Sequence, residues 1–137
     1  MAYDGEFVPN PHLVPGDFTM VYAVVVTGSW WNPCGHMILK TPAGYFHIAE
    51  RKGRPKRMTE EGYKRYLAEN GKKELSRTYL HLPEPGKAHK KLVELLGKDW
   101  AWWLLPNNCA AFVEDIVKAG GSSAGLYSNC PSREKFK

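Results

Sequence analysis

The chain has 137 residues, a length that fits one domain and excludes two of ordinary size. Hydrophobic residues make up 43% of it and charged residues 24%, as in a folded globular protein. The formal net charge of +5 favours contact with an anionic surface, whether nucleic acid, acidic lipid or a cell-wall polymer.

Simple patterns argue against membrane insertion, a Sec signal and a structural zinc site. The apolar run Met20–Val26 is far shorter than the roughly 20 residues that span a bilayer. The first ten residues lack a basic segment followed by an apolar one, so we expect no Sec-type signal peptide. The three cysteines show no CxxC spacing, and their odd number leaves at least one outside any intramolecular disulfide.

The first part of the chain is predicted to form mainly strands. Residues 1–17 are rich in Pro and Gly and are predicted as an irregular lead-in. Met20–Val26 is β-branched and apolar, which predicts a buried strand. Gly35–Lys40 and Gly44–Glu50 predict two further strands, and the short turn over residues 41–43 predicts that they pair as a hairpin.

The rest of the chain is predicted to be largely helical. Its elements are a basic loop (Arg51–Arg57), a helix from the cap Thr59 to about Asn70, a strand (Ser76–Leu82), a helix (Lys87–Leu96), an aromatic connector (Asp99–Pro106), a helix (Asn108–Ala119) capped by Asn108, and a loop-like tail over residues 121–137. No repeat or linker divides the sequence, so we expect a single α+β domain over residues 1–137.

Among the candidate functional residues, Cys109 has the position that says most about possible chemistry. It follows Asn108 at the predicted helix start, in the segment PNNCAAFVEDIV. The positive end of a helix dipole and the unpaired N–H groups of the first turn stabilise a thiolate and lower the pKa of a cysteine there. The same N–H groups can hold a developing oxyanion, so Cys109 is a candidate nucleophile. An inert buried cysteine is the alternative.

Two of the five histidines, His36 and His47, fall on the two strands of the predicted hairpin. If Lys40 and Gly44 flank the turn, the histidines are opposite each other or one residue out of register, about 5 Å apart. Such a pair lets one imidazole act as the base for a thiol while the other orients it. The competing hypothesis is a zinc ion bound by His36, His47 and Cys109, for which no fourth ligand stands out.

The order of these residues resembles that of a known family. A histidine on one strand, a second eleven residues later on the next, and a cysteine that opens a helix as NC-x-x-F-V is similar to the circularly permuted NlpC/P60 papain-like hydrolases, which include the lecithin:retinol acyltransferase-like group. The segment AGYFHIAE corresponds to DGYVIHLA of that group, and NCAAFV corresponds to NCEHFV. The resemblance covers about residues 20–120.

The resemblance implies a papain-like fold with a small antiparallel sheet packed on the helix that carries the nucleophile. It implies that Cys109 is the nucleophile, His36 the general base and His47 the third polar residue. We expect no cofactor and no metal. We also expect no hydrophobic anchor of the acyltransferase kind, which favours the short bacterial members. These look like cell-wall peptidases or amidases, and some are toxins delivered into rival cells by machines such as the type VI secretion system.

The expected function is hydrolysis of an amide bond, most of all a peptide bond in peptidoglycan, by an antibacterial effector. We expect secretion without a Sec signal and action in the periplasm of a target cell. Expected partners are peptidoglycan or another anionic envelope polymer and a cognate immunity protein, with no nucleic acid and no stable membrane insertion; we expect a monomer. The alternatives are a lipid-directed thiol acyltransferase or phospholipase, and a non-catalytic basic binding module.

Three aromatic residues are candidates for contact with substrate. Trp31 precedes the His36 strand and Trp103 precedes Cys109 in the chain, so both are expected to rim the cleft. Tyr22, on the first strand, is a candidate oxyanion donor, and core packing is the alternative for all three. Elsewhere, the sequence is compatible both with a disulfide between Cys34 and Cys130 and with two separate thiols.

Overall fold

Seven strands and three α-helices make up the described part of the molecule. The computed structural model of the protein describes residues 2–8, 13–28, 34–49, 52–97, 100–101, 108–125, 130–133 and 136. In chain order the elements are a 3-10 helix (Pro15–Phe18), β1 (Met20–Val26), β2 (His36–Thr41), β3 (Gly44–His47), β4 (Lys52–Gly53), β5 (Lys56–Met58), α1 (Glu60–Asn70), β6 (Glu74–His81), α2 (Pro85–Leu96), β7 (Trp100–Ala101) and α3 (Asn108–Ala119).

Five of the strands form one antiparallel sheet in the order β5-β3-β2-β1-β6, and β4 pairs separately with β7. The fold is therefore mixed α+β, as the sequence predicts. β1 matches its predicted bounds, β2 is displaced by one residue, β3 ends three residues early, and β6 begins two residues early. Strand ends are less well determined by sequence than strand cores, because pairing with neighbours decides where a strand stops.

β1 lies between β2 and β6, and from Ala23 to Val26 both of its faces are covered, which suits its apolar sequence. Val21, Ala23 and Val25 face one side of the sheet, where α2 and α3 pack. Val24 and Val26 face the other side, where α1 packs. The side covered by α2 and α3 is called the apolar face below, and the side covered by α1 is called the α1 face.

Local capping signals place the helices close to their predicted bounds. The Thr59 hydroxyl accepts a 3.0 Å hydrogen bond from a backbone N–H in the first turn of α1, and Gly71 ends that helix with a left-handed φ of +61°. α2 begins at Pro85, two residues earlier than predicted. α3 has its predicted bounds, with Asn108 as the first helical residue instead of a cap before the helix. No helix among the described residues is long and apolar enough to cross a membrane.

The prediction of a basic loop over Arg51–Arg57 is wrong in part. β5 begins inside this segment and pairs with β3, and Met58 at its end is fully buried. The charged side chains of this segment give no alternation of apolar residues, so the sequence does not predict the strand. In the structure, the Arg57 side chain donates a hydrogen bond to the main-chain oxygen of Ala43. In the predicted aromatic connector, the two residues of β7 pair with β4, and the other residues lie outside the described part.

The predicted irregular lead-in and loop-like tail both contribute to the packed structure. Glu6 forms an isolated antiparallel bridge with Arg57, and the 3-10 helix buries Phe18. In the tail, Phe136 is fully buried in the core on the apolar face. Cys130 is also buried, and it is bonded to Cys34.

Candidate active site

The hairpin of β2 and β3 places His36 and His47 on the same face of the sheet. Its ladder pairs Thr41 with Gly44, so the turn contains two residues and is shorter than the three-residue turn assumed with Lys40 as a flank. The histidines are consequently offset by two residues, and the prediction that they are opposite or one residue out of register is wrong. Because side chains alternate along a strand, an even offset keeps both on one face as diagonal neighbours.

The two imidazole rings are in direct contact. His36 Nε2 lies 2.8 Å from His47 Nδ1, and the ring planes are inclined by 68°. On the other side of its ring, His47 Nε2 lies 2.7 Å from the main-chain oxygen of Asp4. His36 is 3% exposed and His47 is fully buried. The structure therefore brings together two of the three predicted catalytic residues, in a hydrogen-bonded chain that ends on a backbone carbonyl.

The Asp4 carbonyl determines where the protons of this chain lie. A carbonyl oxygen only accepts, so His47 Nε2–H donates to Asp4. Neutral His47 then has an unprotonated Nδ1, which accepts the N–H of His36 Nε2. Neutral His36 is left with an unprotonated Nδ1, so the histidine pair presents a basic nitrogen at the end that is remote from Asp4.

Burial keeps both histidines uncharged at neutral pH. Removal from water lowers the pKa of His36 well below its ordinary value of 6.5, and the neighbouring His47 and Lys72 lower it further. Burial also lowers the pKa of His47 to about 4, although the hydrogen bond to the Asp4 carbonyl opposes this shift. The one-way chain of donors derived above therefore applies to the resting protein at neutral pH.

Helix α1 covers the histidine pair from above the sheet. The ring centroid of Tyr66 lies 5.2 Å from that of His47, in an edge-on arrangement, and 6.4 Å from that of His36. Tyr66 is itself 4% exposed, so the ring shields the pair from water. This cover explains why desolvation is the largest influence on the pKa of both histidines.

Cys109 is the second residue of α3, and its side chain lies outside the described part of the structure. α3 packs against β2 and β3, the two strands that carry the histidines. Its buried side chains, among them Phe112 and Val113, contact the apolar face, whereas the histidines lie on the α1 face. His36 is the first residue of β2, so the first turn of α3 reaches it only around the end of that strand. The pairing of Cys109 with His36 stays a prediction.

Of the three predicted substrate-binding aromatics, the structure describes Tyr22 alone. Trp31 and Trp103 lie outside the described residues. Tyr22 is half-buried on β1 against a second tyrosine and a lysine. It is four residues from Val26, the residue that pairs with His36, which corresponds to roughly 13 Å along the strand. The structure thus places Tyr22 away from the histidines.

A disulfide lies next to the pair in the chain. Cys34 and Cys130 are bonded, with their Cα atoms 4.8 Å apart, so the disulfide alternative left open by the sequence is the one that the structure has. The N–H of Ser132 also donates to the Cys34 carbonyl at 2.7 Å. Because Cys34 precedes His36 by two residues, the disulfide anchors the tail beside the start of β2.

The geometry of the pair fits a shared proton and argues against a shared metal ion. The facing nitrogens of His36 and His47 are 2.8 Å apart, whereas zinc needs a lone pair from each ligand at about 2.0–2.1 Å. Within the described ranges, no group of three His, Cys, Asp or Glu side chains could hold a metal ion. The predicted third ligand, Cys109, has its side chain outside those ranges.

Asp4 is the residue of this site that sequence reasoning missed. It contributes a main-chain oxygen, and every residue has one, so its side chain gives no sign of the role. It also precedes His47 by 43 residues. Gly5 is the only local signal, since a glycine often marks a backbone conformation that other residues avoid.

Comparison with protein-family models, with curated proteins and with solved structures finds no match to this chain.

Proposed function

We propose that the protein is a cysteine hydrolase that cleaves an amide bond, with Cys109 as the nucleophile and His36 as the base. The observation that carries the proposal is the buried chain from the Asp4 carbonyl through His47 to His36, which ends on a basic nitrogen. The position of Cys109 in the first turn of α3 supports it, because that turn stabilises the negative charge that develops on sulfur as the thiol loses its proton.

In the proposed reaction, His36 Nδ1 takes the proton of the Cys109 thiol as the sulfur attacks the carbonyl carbon. The backbone N–H of Cys109 and a neighbouring donor hold the oxyanion of the tetrahedral intermediate. His36 then gives its proton to the leaving amine, and the C–N bond breaks to leave an acyl-enzyme. A water molecule, deprotonated by His36, attacks the thioester, and the products are the acid and the free thiol. His47 holds the ring of His36 by accepting its Nε2–H.

The resting state in this mechanism is a neutral thiol beside a neutral imidazole. Burial and the neighbouring His47 favour the uncharged form of His36, so a preformed thiolate–imidazolium pair is the less favourable start. Proton transfer therefore accompanies the attack on the substrate, which is general-base catalysis.

We propose peptidoglycan as the substrate and the periplasm of a target cell as the place of action. The net charge of +5 favours an anionic envelope polymer. The disulfide between Cys34 and Cys130 favours an oxidising compartment, since such bonds are rare in the cytosol. An effector of this kind would be paired in its producer with an immunity protein.

The test is digestion of purified sacculi by the oxidised protein and by its Cys109→Ala variant. We expect soluble fragments whose masses show one added water per cleaved amide bond, and no such fragments from the variant. The variant should keep the circular dichroism spectrum of the wild type, because a small residue fits the first turn of a helix.

A parallel incubation with phospholipid vesicles separates the lipid-directed alternative. Release of fatty acid from vesicles, with intact sacculi, would replace the peptidoglycan proposal by a phospholipase. A Cys109→Ala variant that keeps a tenth or more of wild-type turnover on either substrate would show that Cys109 is not the nucleophile.

A further inference from the structure

We propose that Gly5 aims the Asp4 carbonyl at His47 and thereby fixes the tautomers of both histidines. Asp4 and Gly5 are positioning residues in this scheme, since they act on the base through His47. The expected effect on hydrolysis rests on the proposed function above, whereas the expected effect on the histidine protons does not.

The backbone at Gly5 has a conformation that sets the direction of the Asp4 carbonyl. Gly5 has a φ of +111°, where residues with a side chain are rarely found. The peptide unit between Asp4 and Gly5 is rigid and planar, so rotation about φ of Gly5 turns the Asp4 oxygen with it. A Cβ at Gly5 would also lie 3.0 Å from Lys56 Cβ and 3.1 Å from the Arg57 oxygen. A side chain at this position would therefore move the carbonyl.

Strand β5 holds the N-terminal segment, residues 3–6, on one side. Glu6 and Arg57 exchange two main-chain hydrogen bonds of 2.8 Å each, as in an antiparallel ladder. The Asp4 carboxylate forms a 2.8 Å ion pair with Lys56, which is directly opposite His47 in the sheet. These contacts fix Asp4 and Glu6, the residues on either side of Gly5.

Helix α1 holds the segment on the other side. The side-chain amide of Asn70 donates to the main-chain oxygens of Tyr3 and Tyr66, both at 2.8 Å. The N–H of Tyr3 donates to the Glu69 carboxylate at 3.0 Å. Tyr66 is the residue whose ring covers the histidines, so the same amide links the segment to the cover of the pair.

The Asp4 carbonyl determines the direction of the hydrogen bonds in the histidine pair, and so which nitrogen of each ring carries the proton. Without an acceptor at Nε2, neutral His47 can carry its proton on Nδ1 instead and donate to His36 Nε2. His36 would then have its own proton on Nδ1, the nitrogen that the proposed reaction needs unprotonated. One misplaced backbone oxygen at Asp4 therefore converts the base into a donor without removing either imidazole.

The experiment measures the ring nitrogens of both histidines by long-range ¹H–¹⁵N NMR in the full chain at neutral pH. In the wild type we expect His36 and His47 each to have a protonated Nε2 and an unprotonated Nδ1. In Gly5→Ala we expect a mixture of tautomers at His47 and at His36. We also expect hydrolysis to fall about 10²-fold, the size of effect that follows from a small misplacement of catalytic groups.

Two variants serve as controls. Gly16→Ala adds the same methyl group at a position with nothing within 4 Å, and it should leave tautomers and rate unchanged. Asp4→Ala removes the ion pair to Lys56 but keeps the main-chain carbonyl, so the wild-type tautomers should persist. If Asp4→Ala disturbs the tautomers as much as Gly5→Ala, the ion pair positions His47 and the proposed role of Gly5 is wrong.

The two proposals fail in different ways. Unchanged tautomers in a folded Gly5→Ala variant would overturn the positioning role whatever the activity of the protein. If Gly5→Ala does not fold, wild-type spectra in which His47 Nε2 is unprotonated would overturn it equally. A wild type that hydrolyses no substrate but responds to Gly5→Ala with mixed tautomers would support the positioning role and overturn only the proposed function.

Discussion

Two polar clusters lie on the α1 face of the sheet, one buried and one partly exposed, and they are built on opposite principles. The histidine pair consists of neutral groups whose hydrogen bonds run in one direction and end on the Asp4 carbonyl. The second cluster, called the tyrosine–arginine cluster here, consists of Tyr45, Tyr63, Glu60, Glu74 and Arg77 and is held by charge.

The tyrosine–arginine cluster satisfies its own charges. The guanidinium of Arg77 donates to Glu74 at 2.8 Å and to the Tyr45 hydroxyl at 3.0 Å, and Tyr63 donates to Glu74 at 2.8 Å. Although burial opposes it, the hydrogen bonds from Arg77 and Tyr63 hold the pKa of Glu74 below its ordinary value. Burial raises the pKa of Tyr45 to about 12. Glu74 is thus held ionised and Tyr45 protonated, as their hydrogen-bond partners need, which is the mark of a structural cluster.

The difference between the clusters supports the proposal that catalysis takes place at the histidine pair. In the histidine pair, burial works against the charged state of both members, so His36 rests as a neutral imidazole with an unprotonated Nδ1. A group that must change its protonation state during a reaction is more useful when no neighbour fixes its charge. We therefore expect mutations in the pair to affect rate and mutations in the tyrosine–arginine cluster to affect stability.

The largest effect on the rate is expected from substitution of His36, in the histidine pair. The His36→Ala variant should lose at least about 10⁴-fold in kcat/KM on sacculi, because nucleophile and base act as one unit. The His47→Ala variant should lose less, since it removes only the group that orients His36. His81→Ala deletes an exposed imidazole on β6 and should leave the rate unchanged. A greater loss in His47→Ala than in His36→Ala would exchange the two roles.

The disulfide should matter for stability and not for chemistry, although it lies two residues from His36. It joins residues 96 positions apart, and a cross-link over a loop of this length contributes up to about 4–5 kcal/mol. A Cys34→Ser, Cys130→Ser double variant should lose stability towards this limit, measured by urea unfolding under oxidising conditions, and keep its intrinsic rate. Loss of the rate in a fully folded double variant would place the disulfide in the catalytic machinery.

Acidification should weaken the fold through the histidine pair. Each histidine has a lower pKa in the folded protein than the value of about 6.5 in the unfolded chain, so the unfolded chain binds more protons as the pH falls below 6.5. The free energy of unfolding should be constant well above this pH and fall below it, by about 2 kcal/mol at pH 5 through His47 and by a further amount through His36. For His47 the decline should end near its folded pKa of about 4. An identical decline in a folded His47→Gln variant would contradict this assignment.

The smallest expected effect lies in the tyrosine–arginine cluster. Arg77→Met keeps the apolar stem and removes the guanidinium, whose side chain is 31% exposed and therefore partly screened by water. We expect a loss of about 1–2 kcal/mol in the free energy of unfolding and an unchanged rate. Lys87→Met removes a 69% exposed partner of a similarly spaced carboxylate and should change neither quantity. A strong loss of rate in Arg77→Met would remove the distinction between the two clusters.

Features with local causes could be predicted from the sequence. β1 has its predicted bounds because a β-branched run suits a strand that is covered on both sides. α1 begins after Thr59 and ends at Gly71 because both residues act on the backbone next to them. The contact between His36 and His47 could be predicted because a short hairpin keeps its two strands together, although its register depended on one residue of turn length.

Features that depend on distant contacts could not be predicted. β5 is a strand because it pairs with β3, and its charged sequence gives no alternation of apolar residues. The role of Asp4 depends on a backbone oxygen that meets His47 across 43 residues of chain. Whether the first turn of α3 meets His36 is also a long-range question, and sequence spacing alone does not answer it.

The most direct test of the central claim is the rate at which iodoacetamide modifies Cys109 in the oxidised protein at neutral pH. Cys34 and Cys130 are joined, so Cys109 is the remaining cysteine of the three, and peptide mass identifies the modified site. We predict modification at least about ten times faster than in the same chain unfolded in urea, because His36 takes the thiol proton as the sulfur attacks the reagent. We predict that His36→Ala abolishes this advantage and that His81→Ala preserves it. An equal rate in wild type and a folded His36→Ala variant would contradict the claim that Cys109 and His36 act together.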